Sequence, residues 1–545
     1  QADQEAGRSV SCLVFPQGEV EVEVAAALEA MSQKSDRFQD GGPVVESPAP
    51  EVFVEYVELS PPHKDDQTAD WQRLRGAEGT QHITADRRTL AELPKALRNG
   101  DFAAALVRDA DRCFGILSDL PQGQHGIAVD VGTTTLAAYL VDLQTGTVVD
   151  VVSALNAQQK FGADVISRIH HTMENESGTE ELQSTIIEQL DDICRQLVDK
   201  NQTDAGEILL VHITGNTTMI HLAAGLPAQN IAAAPFIPTT TDSIVESAWS
   251  LGLHSLPHAK ARLLPAISGY VGADIVAAVL SSGIHHKDTT ALLIDIGTNG
   301  EIVLKHGGVI YCCSTAAGPA FEGAQIHDGV GGIRGAVNAV HYDGEEPTYT
   351  TIADQAPLGI CGSGITDALA ILLAAGIVDE TGRMLGPGDA GDLPAALASR
   401  LSELDGEPAF VLVAEKETST GSPVLITQKD VREIQLAKAA IAAGIDTLIQ
   451  EAGITVDDVE ALYLAGGFGS YLRKESAVAI GLLPTALADR ITVLGNAAGK
   501  GAVLTLLSEA MTTDALGLAD GTVYVELSSS PAFQMAYISQ MAFPE

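Results

Sequence analysis

The sequence predicts an α/β protein with two similar lobes facing across a cleft, preceded by a small α+β unit. Three observations lead there. From Gly126 onward, apolar strands, glycine turns and alanine-rich helices alternate to the end of the chain. One plan, strand, Asp-x-Gly-Thr loop, strand, glycine turn, strand, occurs at 126–152 and again at 291–312, with Asp130 and Asp295 in equivalent places. Glycine is abundant (53 residues) while aromatics make up only 4%, which suits parallel sheets with many tight turns.

The elements follow in order. Residues 1–48 read as an N-terminal strand and linker remnant, with strands Ser9–Phe15 and Glu19–Val24 around Pro16-Gln17-Gly18 and a polar linker at Lys34–Pro50. Residues 49–122 read as the small α+β domain. Val52–Leu59 alternates apolar and polar residues like a half-buried strand, and Pro61-Pro62 stops it. Short helices are expected at Asp65–Arg75 and Thr89–Asn99, the second with Thr89 as N-cap, then strands at Phe102–Arg108 and Cys113–Leu117.

The first lobe is expected over 123–285. It opens with strands Ile127–Val131, Thr134–Asp142 and Val148–Ser153, followed by a strand running into a helix at Val211–Leu222 and a helix at Ile275–Leu280. The second lobe is expected over 286–545. Its strands are Ala291–Ile296, Gly300–Lys305 and Val309–Cys312, with a later one at Ala461–Leu464.

Composition narrows the function. With 31 basic and 72 acidic residues the formal charge is −41. Such a surface repels phosphate backbones and anionic lipid, so neither nucleic acid nor membrane is an expected partner. No apolar run reaches the roughly 18–20 residues that span a bilayer, and a cytoplasmic location is expected. The six cysteines (12, 113, 194, 312, 313 and 361) form no CxxC pair and match neither zinc nor iron–sulfur spacing.

The chemistry concentrates in the repeated loops. Asp130 is followed by Gly132, Thr133, Thr134 and Thr135; Asp295 is followed by Gly297, Thr298, Asn299 and Gly300. In each, a glycine permits a tight turn, so that backbone N–H groups and threonine hydroxyls can meet phosphate oxygens. Each aspartate sits at a strand end, where it can hold Mg²⁺ through water. Gly466, Gly467, Phe468 and Gly469 follow an apolar strand and suit a close approach to a base or ribose. Gly495–Gly501 looks like a Walker loop, but it is one residue short and Gly501 replaces the Ser/Thr. It reads instead as a helix start, with Asn496 lining the nucleotide pocket. Gly318, Asp274 and Glu322 complete the candidates, the two acids as phosphate-side groups or as helix caps.

These motifs together resemble the ATP-dependent reductive activators of corrinoid proteins. The resemblance rests on Gly126–Thr135, Asn156–Ile169, Ile213–Leu222, Ser268–Ile275, Leu293–Ile302, Ala316–Gly335, Gly359–Ala368, Leu464–Tyr471, Gly495–Ala502 and Val523–Pro544, with Val52–Arg75 outside the core. It implies a duplicated actin-like (ribonuclease-H-like) two-lobe ATPase core. It also implies ATP and Mg²⁺ as ligands, with Asp130, Asp295 and Glu322 catalytic, and Co(II)-to-Co(I) reduction of a corrinoid protein as the activity. Ser363 would face the corrinoid partner. A low-potential electron donor is the other partner, and a homodimer is admitted. Family members carry an N-terminal [2Fe–2S] domain; the chain begins at Gln1 and has no such cysteine cluster, so that domain is expected to precede it, with Cys12 as its last cysteine or an ordinary strand residue. Two other readings share the fold: a small-molecule kinase, for which no general base over a sugar pocket stands out, and a non-enzymatic nucleotide switch.

Overall fold

The computed structural model describes residues 44–544 except 345, 392 and 470. The strands expected at Ser9–Phe15 and Glu19–Val24, and Cys12, lie outside the described residues.

In the small unit, β1 (Phe53–Glu58), β2 (Thr84–Ala85), β3 (Ala103–Arg108) and β4 (Arg112–Leu117) form a sheet in the order β1-β3-β4-β2. The helix Arg87–Asn99 lays Leu93 and Leu97 on Leu106 and Ile116. Its N-cap is Asp86, not Thr89. The Asp86 carboxylate accepts the Thr89 N–H at 2.8 Å, so Thr89 sits one turn inside, where an orphan amide needs an acceptor. The helix expected over Asp65–Arg75 covers only Asp70–Leu74. Asp66 accepts the Thr68 N–H at 3.0 Å, a local turn that competes with helix.

The first lobe contains β5 (His125–Val131), β6 (Thr135–Asp142), β7 (Val148–Leu155), β8 (Ile208–Gly215), β9 (Ile244–Ser247) and β10 (Lys260–Leu263), in the order β7-β6-β5-β8-β10-β9. The second contains β11 (Ala291–Ile296), β12 (Gly300–His306) and β13 (Val309–Thr315). Two small sheets follow, built from β14 (Ala336–His341), β15 (Thr348–Thr351) and β16 (Gly359–Ile360), and from β17 (Leu401–Leu404), β18 (Glu407–Val413) and β19 (Val424–Thr427). The chain then returns with β20 (Ala461–Ala465), β21 (Ile491–Gly495) and β22 (Val523–Tyr524), giving the order β21-β20-β11-β12-β13-β22.

The duplication is exact in topology at the centre of both sheets. The first strand of each repeat pairs antiparallel with the second and parallel with the fourth. The second and third are antiparallel, and the fourth is parallel to its outer neighbour, β8 to β10 and β20 to β21. Parallel central strands must be covered on both faces, and they read as unbroken apolar runs such as Ile208–Val211.

Two helices exchange between the lobes. Ala497–Leu507 follows β21 of the second sheet, yet Ala502, Val503, Leu506 and Leu507 belong to the first lobe's core. Ala273–Ser282 follows the first sheet, yet Ile275 and Val279 pack with Leu293 and Val303 of the second. They meet where Gly501 backs onto Ala277: a Cβ on Gly501 would lie 1.9 Å from the Ala277 carbonyl, so only glycine permits this crossing.

Candidate nucleotide-binding site

The first loop is held by its carbonyls. The Gly132 N–H donates to Thr135 O at 3.0 Å and closes the turn. Asn156 Nδ2 donates to Gly132 O at 2.9 Å, Arg168 donates to Thr133 O, and the Asn156 N–H donates to Thr134 O at 2.9 Å. With three successive carbonyls drawn to the scaffold, the loop's polar capacity toward the cleft is that of amides and hydroxyls, a set suited to an anion. Asn216, the N-cap of Thr217–Ala224, fixes the Thr133 hydroxyl at 2.9 Å.

The second loop is shorter, closed by the Gly297 N–H to Asn299 O at 2.9 Å. Thr298 Oγ1 donates to Glu322 Oε1 at 2.9 Å, which brings that carboxylate to the loop. Gly466 lies against the aspartate of this loop. It has φ +85°, and a Cβ there would stand 2.3 Å from Asp295 Oδ1. Any side chain at 466 would close the space beside that carboxylate and strain the backbone.

Four acids gather between the lobes with little cationic compensation. Burial raises Asp130 to about 6, with a hydrogen bond from Asn496 opposing the shift. Burial and then Asp130 raise Asp295 to about 7. Burial, then Asp295 and Asp130, raise Asp274 to about 8. Burial followed by Asp274 and Asp295 holds Glu301 well above its ordinary range, although Ser314 Oγ donates to it at 3.1 Å. Mutually repelling carboxylates that raise one another mark a place where a cation is wanted. Among the described residues no three of these four acids bring carboxylate oxygens within 4.8 Å of one another, an arrangement that suits an ion held through water rather than caged by side chains.

Residues 47–125 match the RACo linker region, 125–287 the RACo middle region, and 289–545 the C-terminal domain of RACo, the ASKHA domain. The corrinoid activation enzyme RamQ of Eubacterium limosum is 36% identical over 419 residues, 77% of this chain and 70% of that protein. The chain belongs to the RACo family. The [Co(II) methylated amine-specific corrinoid protein] reductase of Methanosarcina barkeri is 25% identical over 452 residues, 77% of each protein. The solved structure of a reductive activator for corrinoid, iron-sulfur protein superposes with a TM-score of 0.78 at 32% identity, covering 91% of this chain and 80% of that one.

In RACo terms, then, the small α+β unit is the linker region and the first lobe the middle region. The ASKHA fold is a nucleotide-binding one, and in this RACo chain the expected residues fall into two groups. Asp130, Thr133, Asp295, Thr298, Glu322, Gly466 and Asn496 are tied to one another or to the two loops. Phe468 stacks on Phe321 with ring centroids 4.9 Å apart, beside the second loop. Gly467 is exposed, Gly469 buried, and Gly318 adopts φ +78° just before the turn bearing Glu322. Gly272 is the N-cap of Ala273–Ser282, and Asp274 lies in its first turn, where Oδ1 accepts the Ile275 N–H at 2.9 Å. Ser363 opens the helix Gly362–Ala374. It is 4% exposed, and its hydroxyl donates to Asn338 O at 2.7 Å. Asn156, Arg168, Asn216 and Glu301 were not among the expected site residues. Asn156 and Arg168 fall inside the motif Asn156–Ile169, and nothing local announces their targets.

Proposed function

We propose that this chain binds and hydrolyses ATP in the cleft between its lobes and uses it to drive a corrinoid protein from Co(II) to Co(I). The observation that carries the reading is the pair of Asp-x-Gly-Thr loops on two lobes that share exchanged helices, in a chain of the RACo family. A ligand gripping both loops has a different affinity for open and closed arrangements, and only that difference can do conformational work. Because each lobe's core includes a helix from the other half, closure is felt throughout the structure.

The residues divide the task. Gly132–Thr135 and Gly297–Gly300 clamp the phosphates. Gly466–Gly469 and Asn496 border the nucleoside side. Asp130 and Asp295 would hold Mg²⁺, and Asp274, which is raised by both, would share the charge. When bound, Mg²⁺ offsets the charge of the phosphates and of these acids. Glu322, oriented by Thr298, accepts a proton from the attacking water. The five described cysteines are buried and free, and burial pushes Cys113 and Cys194 each up to about 12. They do not fit a [2Fe–2S] ligand set, so no electron-transfer step is assigned to them. The electron for cobalt comes from a low-potential donor.

The test mixes the full-length activator, a low-potential reductant, Mg²⁺-ATP and a Co(II) corrinoid protein, and follows the cobalt spectrum. Co(I) should appear only with ATP and be lost in Asp295→Asn. An equal yield without ATP would overturn the proposal.

A further inference from the structure

Beyond helix Ala273–Ser282 the chain turns through Ile284–His286, and the helix Glu509–Gly521 presents Asp514 to that turn. Both histidines aim Nε2 at one carboxylate oxygen. His286 Nε2 is 3.1 Å and His285 Nε2 3.7 Å from Asp514 Oδ2. The donor atoms of all three residues lie within 4.8 Å of one another. The two rings stand 3.9 Å apart, centroid to centroid. The His285 side chain is only 7% exposed, and neither of its ring nitrogens has a hydrogen-bond partner.

A buried imidazole with both nitrogens unsatisfied is an exception that calls for a cause. The polar groups nearest it, the Val279 backbone and the Asp514 carboxylate, stand outside hydrogen-bond geometry and do not supply a partner. A cation between the rings and the carboxylate would do so. Four donors held tetrahedrally about 2.0–2.1 Å from Zn²⁺ stand about 3.3 Å from one another. The observed 3.1 and 3.7 Å bracket that edge. Two imidazoles and a carboxylate are also a donor set that zinc and its first-row neighbours favour over Mg²⁺ or Ca²⁺.

We propose that His285, His286 and Asp514 bind a divalent transition-metal cation, Zn²⁺ foremost, which staples helix Glu509–Gly521 to the end of the exchanged helix Ala273–Ser282. The site has three protein ligands and a fourth position for water or an incoming donor. It is separate from the carboxylates that face the nucleotide. The staple fixes two helices at the junction of the lobes, independently of whether ATP is present.

The experiment uses the untagged full chain, stripped with chelator and free of nucleotide. Co²⁺ serves as the spectroscopic probe and Zn²⁺ as competitor. The expected result is one Co²⁺ per chain with the intense visible absorption of a tetrahedral ion, displaced by Zn²⁺, and a melting temperature raised by Zn²⁺. His286→Ala, at a position whose side chain is 62% exposed, keeps the fold and weakens binding at least about tenfold. Asp514→Asn does the same, and both lose the Zn²⁺-dependent rise in melting temperature. Absence of stoichiometric binding, or binding undiminished in both variants, would overturn the proposal; the second result would place the ion at the nucleotide-side acids.

Discussion

Asn496 Nδ2 stands 3.0 Å from Asp130 Oδ2, joining side chains 366 residues apart. The same amide nitrogen donates to the Tyr139 hydroxyl at 3.1 Å, and Oδ1 accepts the Gly499 N–H at 2.8 Å. One side chain therefore starts the exchanged helix Ala497–Leu507 and steadies the aspartate of the first loop. Asn496→Ala removes the cap, at a cost of about 1 kcal/mol. Asn496→Asp keeps the cap and suits the helix dipole, but sets a second carboxylate against Asp130. We expect the aspartate variant to melt closer to the parent than the alanine variant and yet to bind Mg²⁺-ATP at least about tenfold more weakly than the parent, a loss of about 1.4 kcal/mol. Calorimetric titration of both variants checks this. Parent-like affinity in Asn496→Asp would show that Asp130 does not face the ligand.

The acid cluster predicts an unusual pH dependence. Asp130, Asp295 and Asp274 are raised to about 6, 7 and 8, chiefly by burial. Raised carboxyls bind more protons folded than unfolded between about pH 4 and 8, so stability must fall as pH rises through that window. The metal-free chain should melt at progressively lower temperature from about pH 5 to 8. Asp274→Asn should flatten the upper part of the curve, and Mg²⁺-ATP should flatten most of it. A melting temperature of the metal-free chain that rises across the window would contradict the burial of these groups.

Glu51 behaves in the opposite sense. Burial would raise it, but hydrogen bonds and charge from His212 and Arg262 hold it far below the usual carboxylate range. Its oxygens receive Arg262 at 2.6 and 2.9 Å, Lys260 at 2.9 Å and His212 at 3.0 Å. Lys260 also reaches Asp109 at 2.7 Å, so the network anchors the small unit to the first sheet. Here the stability is present above about pH 4.5 and lost as pH falls below it. Glu51→Gln leaves Lys260 and Arg262 buried without their shared anion, which should cost roughly 3–5 kcal/mol. Denaturant unfolding at pH 7 measures it. A loss under about 1 kcal/mol would mean that Asp109 and solvent suffice.

What the residues revealed in advance follows from range. Strand, loop and turn in each repeat are local chemistry, and β11 and the glycine–threonine loops fall where the pattern put them. Thr89 is the cap the sequence suggests, while the better acceptor, Asp86, stands three residues earlier. The sheets β14–β16 and β17–β19 lack a clean alternation and were not anticipated. A boundary drawn near residue 286 follows the chain, but the packing does not: Ala497–Leu507 lies in the first lobe's core. Glu51 reads as one more surface acid in an acidic chain until the fold brings His212 and Arg262 to it, contacts more than 150 residues distant in sequence.

Arg168 supports the first loop from behind. Its side chain is fully buried and donates to Thr133 O, to Gly162 O at 3.0 Å, to Gln158 Oε1 at 3.3 Å and to Met219 Sδ at 3.1 Å. These acceptors are all neutral. Among the described residues no carboxylate stands at ion-pair distance, and Asp164 acts only through space. Burial lowers Arg168 to about 10, which leaves it charged at neutral pH. A buried cation without a paired anion is costly, and bound phosphates on the far side of Thr133 would offset that cost. The variants separate this from simple scaffolding. Arg168→Met removes the charge and orphans two carbonyls; Arg168→Lys keeps the charge but not the planar fork. If the charge serves the ligand, Arg168→Met should weaken ATP at least about tenfold while leaving adenosine within about twofold, and Arg168→Lys should recover part of the ATP affinity. Equal weakening of ATP and adenosine would mean that Arg168 only shapes the loop.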